Sequence, residues 1–511
     1  MGAPQLLILI LVILVFWFLP TLGLCLLFRK AGVSGWKGWV PVYNLFVMVR
    51  ISGRPWYWVL LSFVPIIGLF FTLAIAIEFI KTFGKTRFYQ HVLLSLSAGL
   101  YFLYIGLKST DGFEDPAVRE ARRVPAVWGW LGTTVIFIAT ITGLRGFVFE
   151  SYLIPTTSME GTLLRGDWLF VSKLSYGPRL PYTPISFPYL PGLFPSGFRN
   201  LYSEGLTLSY HRWFSHPVGR GDVIVFNFPE GDTVISLPDY QSLRPYYDVI
   251  RELGAGNVDS GRRLVLDNPE EYPIKTRLVD KEEAYIKRSV AVAGDTFEIR
   301  NQVIYIDGQP QPFPPGSEII YRVETNGQQL DETDMKQQYQ VDINNIDKFR
   351  VLDSSNQYMM MLTWSTREKM LKDGFARRIS PEVDSSAEGV FPNDQLHHWT
   401  RDNYGPIWIP RKGATLELMP ENYSVYERVI RVYEGNKLEM RNGKIFLNDR
   451  EENKYTFKMD YYWVMGDNLH GAQDSRYWGF VPEDHVIGKA WLIGMSWGEG
   501  VRWDRLFKKV N

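Results

Sequence analysis

The chain has 511 residues, 46% hydrophobic and 22% charged, too long for one typical globular domain and rich enough in apolar side chains for a large core. Its 55 basic and 55 acidic side chains cancel, so no electrostatic footprint for nucleic acid or another polyanion is present. A single cysteine, Cys25, excludes an intramolecular disulfide and, lying in an apolar run, reads as a small buried hydrophobe.

Leu6 to Phe28 carries no charge over 23 residues, enough to cross a hydrocarbon core. The start "MGAPQ" lacks the basic residues of a cleaved export signal, so this run is expected to stay in the mature protein. Trp56 to Ile77, Phe88 to Leu107 and Val124 to Leu144 are further uncharged runs, and only the third of the four also reads as a buried soluble helix. The expectation is a transmembrane region over 1–123 with about three spans (6–28, 56–77, 88–107), then a fourth span within 124–149. The first loop holds Arg29, Lys30, Lys37, Arg50 and Arg54, and the third holds Lys108, Arg119, Arg122 and Arg123; the second has Lys81, Lys85 and Arg87. The excess in loops one and three places both in the cytoplasm, which puts the N-terminus and everything after about residue 150 outside it. The Trp, Gly and Pro interleaving of "GVSGWKGWVPVYN" suggests a segment at the membrane interface.

From about residue 151 the pattern changes to short alternating runs bounded by Gly, Pro, Asn and Asp, the signal of antiparallel β structure. "TFEIRNQVIYIDG" and "KLEMRNGKIFLND" align without gaps as two similar β ribbons. Residues 178–217, rich in Pro and aromatics, read as a loop, and residues 310–415 as a mixed insertion with a helix near "STREKMLKDGF". The fold class expected is therefore an N-terminal multi-span helical membrane region followed by a mainly antiparallel β extracytoplasmic domain. Its core would comprise 150–309 and 438–511, with a mixed α/β insertion over 310–437.

No H-E-x-x-H, C-x-x-C or G-x-S-x-G is present, and the seven histidines show no metal-ligand spacing. Adjacent His397 and His398 would point to opposite faces of a strand. A Ser-His-Asp set from Ser158, His470 and Asp474 stays open, because triad members need not be near in sequence. So does a serine with a lysine base, which requires burial to lower an amine pKa that is ordinarily about 10.4. In "EAYIKRSVAVAGD", Lys287 lies in an apolar strand, sharing a face with Ser289 and Ala291 while Arg288 takes the other. Alternation alone leaves a solvated edge-strand lysine as the ordinary reading.

"IPTTSMEGTLLRGDWLFVSKLSYG", "GRGDVIVFNFPEG", "YIKRSVAVAGD" and "YYWVMGDNLHGAQDSRYWGFVPEDHVIGKA" resemble, in order and wording, the blocks of bacterial type I signal peptidases. The resemblance implies a membrane-bound serine endopeptidase that removes signal peptides from exported preproteins at small-x-small sites. It implies Ser158 as nucleophile, Lys287 as general base, and an oxyanion hole from the Ser158 N–H and the Thr156 hydroxyl. Ile154, Pro155, Met159, Tyr285 and Ile286 fall at the family's substrate pockets, and Arg288, Asp467, Asn468, Asp474, Ser475 and Arg476 at its supporting positions. No metal or cofactor is implied. Partners would be preproteins, the lipid bilayer and the secretion translocon, with the enzyme in the cytoplasmic membrane and its catalytic domain on the periplasmic side. A noncatalytic signal-peptide-binding or membrane-scaffolding protein with a similar β domain is the rival reading. Two departures stand out: Glu160-Gly161-Thr162 replaces the usual x-Pro-Thr, and Ala472 stands where a serine often bonds the lysine.

Overall fold

The structure is a computed structural model. It describes residues 3–64, 67–108, 110–115, 126–186, 201–237, 239–240, 244–254, 258–312, 314, 316–327, 330–346, 348–353, 356–498 and 500–510. The chain divides into two units, one made of 1–151, 185–206 and 503–508, the other of 152–184, 207–502 and 509–511.

In the first unit, among the described residues, two helices are long and apolar enough to cross a membrane, Gln5–Lys30 and Gly129–Val148. Leu6, Leu7, Ile10, Leu11 and Phe16 on the first are exposed, as suits a surface solvated by lipid. Among the described residues, the runs 56–77 and 88–107, where crossings are expected, each contain two short helices that double back. The first gives Tyr57–Leu61 and Gly68–Lys81. A Cβ on Gly68 would lie 2.3 Å from the Ser62 carbonyl oxygen, so glycine is what lets the chain fold this tightly. The second gives Phe88–Leu96 and Leu100–Leu107, reversed by Ala98 and Gly99 with φ of 49° and 89°.

The ends of both runs meet. Arg54 and Lys81 each pair with Glu78 at 2.5 Å, and Lys85 pairs with Asp111 at 2.8 Å. Lys30, at the end of the first long helix, donates to the carbonyls of Ile105, Lys108 and Asp111. A continuous helix over 56–77 would hold its ends about 33 Å apart. Hydropathy measures how apolar a run is and is blind to where its ends go.

The second unit is built on a seven-stranded sheet, whose first strand begins in the last three residues of segment 1–151. Its strands are β1 (Phe149–Leu153), β2 (Asp167–Ser172), β3 (Val223–Asn227), β4 (Ala284–Ala291), β5 (Tyr461–Met465), β6 (Val481–Pro482) and β7 (Val486–Ser496), in the order β1-β2-β7-β3-β4-β5-β6. From β2 onward every pairing is antiparallel. β4 is therefore central, with Lys287 opposite Ile224 of β3. The two similar ribbons are hairpins: Arg300 pairs with Val303 across Asn301-Gln302, and Arg441 with Lys444 across Asn442-Gly443. All four turn residues have positive φ, the geometry of a two-residue hairpin loop. Within 310–415 lies a separate antiparallel sheet ordered Phe349–Asp353, Gln357–Thr363, Glu318–Thr325, Ala376–Pro381. The helix near 365–375 is Trp364–Lys372, capped by Thr363 accepting from the Thr366 N–H. Of the Pro- and aromatic-rich stretch 178–217, residues 187–200 lie outside the described residues.

Candidate active site

Between β1 and β2 the chain makes a closed turn. The Ile154 N–H donates to the Asp167 carbonyl, the Gly166 N–H to the Ile154 carbonyl, and the Leu164 N–H to the Asp167 carboxylate. Within it, Leu163 N–H bonds back to Met159 O and Glu160 N–H to Thr157 O. Met159 is 1% exposed and packs with Ile154, Leu163, Leu169, Val223 and Ile493, with Ile286 against the same cluster. That apolar anchor beneath the turn leaves Pro155, Thr156 and Thr157 exposed and Ser158 half-buried at its crest.

Across from the crest stands Lys287, 5% exposed, its Nζ 2.7 Å from Ser158 Oγ. Burial in the middle of the sheet pushes its pKa from 10.5 down to about 8, helped by the Arg476 guanidinium and opposed by the Asp474 and Asp467 carboxylates. Both acids are already engaged. Asp467 takes a two-pronged bond from Arg288 at 2.8 and 2.7 Å, and Asp474 accepts from Arg476 Nε and Nη2 at 2.8 Å each. Their charge is thus largely answered by guanidinium groups, which favours a neutral amine. Among the described residues, Ser158 Oγ is the hydrogen-bond partner of Lys287 Nζ.

Arg288, on the opposite face of the strand, also donates to Gly221 O at 2.8 Å and to Thr162 Oγ1 at 3.1 Å, tying β4 to the far side of the serine turn. Asn468 N–H donates to Ser158 O at 3.2 Å, and its side chain reaches Thr157 O at 3.5 Å. Ser475 Oγ accepts from the Val464 N–H of β5, and Asp474 Oδ2 from the Gly466 N–H, so both brace the strand beside the lysine. Thr156 Oγ1 lies 3.4 Å from Ser158 Oγ. Tyr285 stacks on Phe228 at 4.5 Å between ring centres and stays partly exposed, as does Ile286. Ala472 is 4% exposed, and a Cβ on Gly466 would lie 2.3 Å from the Ala472 methyl and 2.5 Å from Ser158 O.

The Ser-His-Asp arrangement is not assembled. His470 Nδ1 accepts from the Ile320 N–H and its Nε2 faces Asp402 at 3.0 Å, while Asp474 is spent on Arg476. His397 pairs with Asp394, and among the described residues no cluster of three metal-ligating side chains exists.

Sequence reasoning missed how the insertion reaches this turn. Gly161 has φ of 100°, which proline cannot adopt, and a Cβ there would lie 1.8 Å from Gly316 O. The glycine in place of the usual proline was the available signal. Lys348 lies 2.9 Å from Glu160 Oε2 and 3.0 Å from Glu318 Oε2, a junction that no local pattern announces.

The family model described as "Signal peptidase, peptidase S26" matches residues 127–362 and 424–495, more than half of the chain, and a family of unknown function, DUF5684, matches residues 36–116. A Signal peptidase I of Helicobacter pylori is 21% identical over 403 residues, covering 75% of this chain and 91% of its own. One from Haemophilus influenzae is 24% identical over 383 residues, 73% of each chain. A third, from Aquifex aeolicus, is 52% identical over 43 residues, 8% of this chain and 17% of its own. With a serine and a buried lysine in contact and this match over most of the β region, the chain belongs to the signal peptidase family, peptidase S26, and is a serine endopeptidase.

Proposed function

We propose that this enzyme cleaves N-terminal signal peptides from exported preproteins at small-x-small sites, using Ser158 and Lys287. The observation that carries the reading is the 2.7 Å approach of a buried, weakly basic amine to a serine hydroxyl at the crest of an exposed turn. Neutral Lys287 takes the Ser158 proton as Oγ attacks the scissile carbonyl, then delivers it to the leaving amine; water activated by the same amine frees the acyl-enzyme. The oxyanion would be held by the Ser158 N–H and the Thr156 hydroxyl. Pro155, Tyr285 and Ile286 line the substrate groove, with Ile154 and Met159 as its buried floor, and small side chains are what such a shallow apolar floor admits. Arg288, Asp467, Asn468, Asp474, Ser475 and Arg476 hold base and turn in register.

The ends that meet support a two-crossing placement. Runs 56–77 and 88–107 are hairpins that dip into the bilayer and return, leaving two crossings at Gln5–Lys30 and Gly129–Val148. All twelve Lys and Arg between residues 29 and 123 then share the cytoplasmic side, which satisfies the positive-inside rule without the exception that a crossing second loop required. The N-terminus and residues after about 150 face the other side, where preproteins emerge from the translocon.

The test is cleavage of a purified preprotein in detergent by the wild type, Ser158→Ala and Lys287→Met. Loss of cleavage in both, with unchanged folding, supports the reading. Undiminished cleavage by either variant removes it, and an inactive wild type that still binds signal peptide favours the noncatalytic alternative.

A further inference from the structure

We propose that Lys348, supplied by the inserted region, is a positioning residue for the Ser158 turn; this rests on Ser158 being the nucleophile. Its Nζ sits between two carboxylates, 2.9 Å from Glu160 Oε2 and 3.0 and 3.3 Å from the two oxygens of Glu318. The three side chains are only 17%, 25% and 15% exposed, so water screens the junction less than a surface ion pair. Removing the ammonium leaves two carboxylates facing each other in partial burial.

The two acids lead to opposite flanks of the serine. Glu160 is two residues beyond Ser158 in the turn itself. Glu318 is bonded through its backbone to the loop on the other side: its N–H donates to Asp467 O, and the Leu469 N–H donates to Glu318 O. Between these lies Asn468, whose N–H donates to Ser158 O. Lys348 thus closes a ring that runs through Glu160, Ser158, Asn468 and Glu318. Its own backbone is fixed, since Lys348 O accepts from the Met361 N–H of the inserted sheet. The Gly161–Gly316 contact adds a second, uncharged seat for the same insertion. Ring closure restricts where Oγ rests relative to Lys287 Nζ, and attack geometry is sensitive to small displacements.

The experiment is steady-state cleavage of a preprotein by the full-length enzyme carrying Lys348→Met, Lys348→Arg, Glu160→Gln, or Lys348→Met with Glu160→Gln. Lys348→Met is expected to lower kcat about 10-fold or more with KM changed less than about 2-fold, because a displaced nucleophile affects the chemical step. Lys348→Arg should recover most of the loss, and the double variant should be no worse than Lys348→Met alone. An unchanged kcat, a rise in KM alone, additive losses, or no rescue by arginine overturns the proposal. Should Lys348→Met not fold, Glu160→Gln decides by the same kcat and KM split. Retained cleavage by Ser158→Ala would instead show that the underlying assignment of the nucleophile is wrong.

Discussion

Arg54 and Glu78 form a 2.5 Å ion pair although the chain between them is almost wholly apolar and long enough to cross a bilayer. An ion pair joins groups on one side of a membrane. In a background with Cys25 replaced by serine, a cysteine at exposed Thr86 is therefore expected to react with a membrane-impermeant maleimide only after spheroplasts are permeabilised. One at exposed Ser203 should react in intact spheroplasts. Labelling of the Thr86→Cys variant without permeabilisation would restore the crossing.

With Lys287 as the proposed base, its amine sets the pH dependence. With its pKa lowered to about 8, cleavage should rise with pH at unit slope and level off near that value. Ala472→Ser places a hydroxyl where the family often has one, and a single hydrogen bond contributes only about 0.5–1.5 kcal/mol. The limb should therefore move by less than about one pH unit, read from kcat/KM between pH 6 and 10.

Stability should also depend on the Lys287 proton. Between about 8 and 10.5 the unfolded chain holds the Lys287 proton while the folded chain has released it, so stability rises with pH through that window. Below pH 8 the cost of burying the charge is present in full. Lys287→Met removes it, so the variant should melt at a higher temperature than wild type, most clearly below pH 8, with the gap closing toward pH 10.5. Thermal unfolding of the two proteins across that range checks the sign.

Thr156 and Thr157 are neighbours with different surroundings. Thr156 Oγ1 is 3.4 Å from Ser158 Oγ, whereas Thr157 meets Asn468 through its carbonyl. Thr156→Val should lower kcat about 10²-fold, the scale of a lost oxyanion donor, and Thr157→Val much less. Equal effects in single-turnover cleavage would remove Thr156 from the oxyanion hole.

Restoring the family's proline at position 161 should harm this enzyme. Gly161→Pro replaces a φ of 100° with one near −65° and drives ring atoms into Gly316. A penalty of about 2–4 kcal/mol is expected, seen as a melting temperature lower by about 5 °C or more. An unchanged melting point would mean that the insertion is seated elsewhere.

What the sequence disclosed depended on the range of the interaction. The quoted blocks singled out Ser158 and Lys287 because both stand in short stretches whose wording is local, whereas strand alternation alone left Lys287 an ordinary edge-strand lysine. The paired hairpins were legible for the same reason, being set by two-residue turns. The folded-back apolar runs were not, since their reversal is fixed by Glu78 and Asp111 pairing with charges beyond the runs themselves. Nor was the Glu160–Lys348–Glu318 junction, whose members are separated by more than 150 residues on one side and 30 on the other.

In the strand order β2-β7-β3-β4, the ladder between the strand next to the serine turn and the strand bearing Lys287 runs through β7, residues 486–496, and then β3. A nascent chain that has already produced Ser158 and Lys287 still lacks the piece that fills the gap between them. A chain cut before residue 486 is therefore expected to lack the sheet pairing that supports the 2.7 Å contact between Ser158 and Lys287.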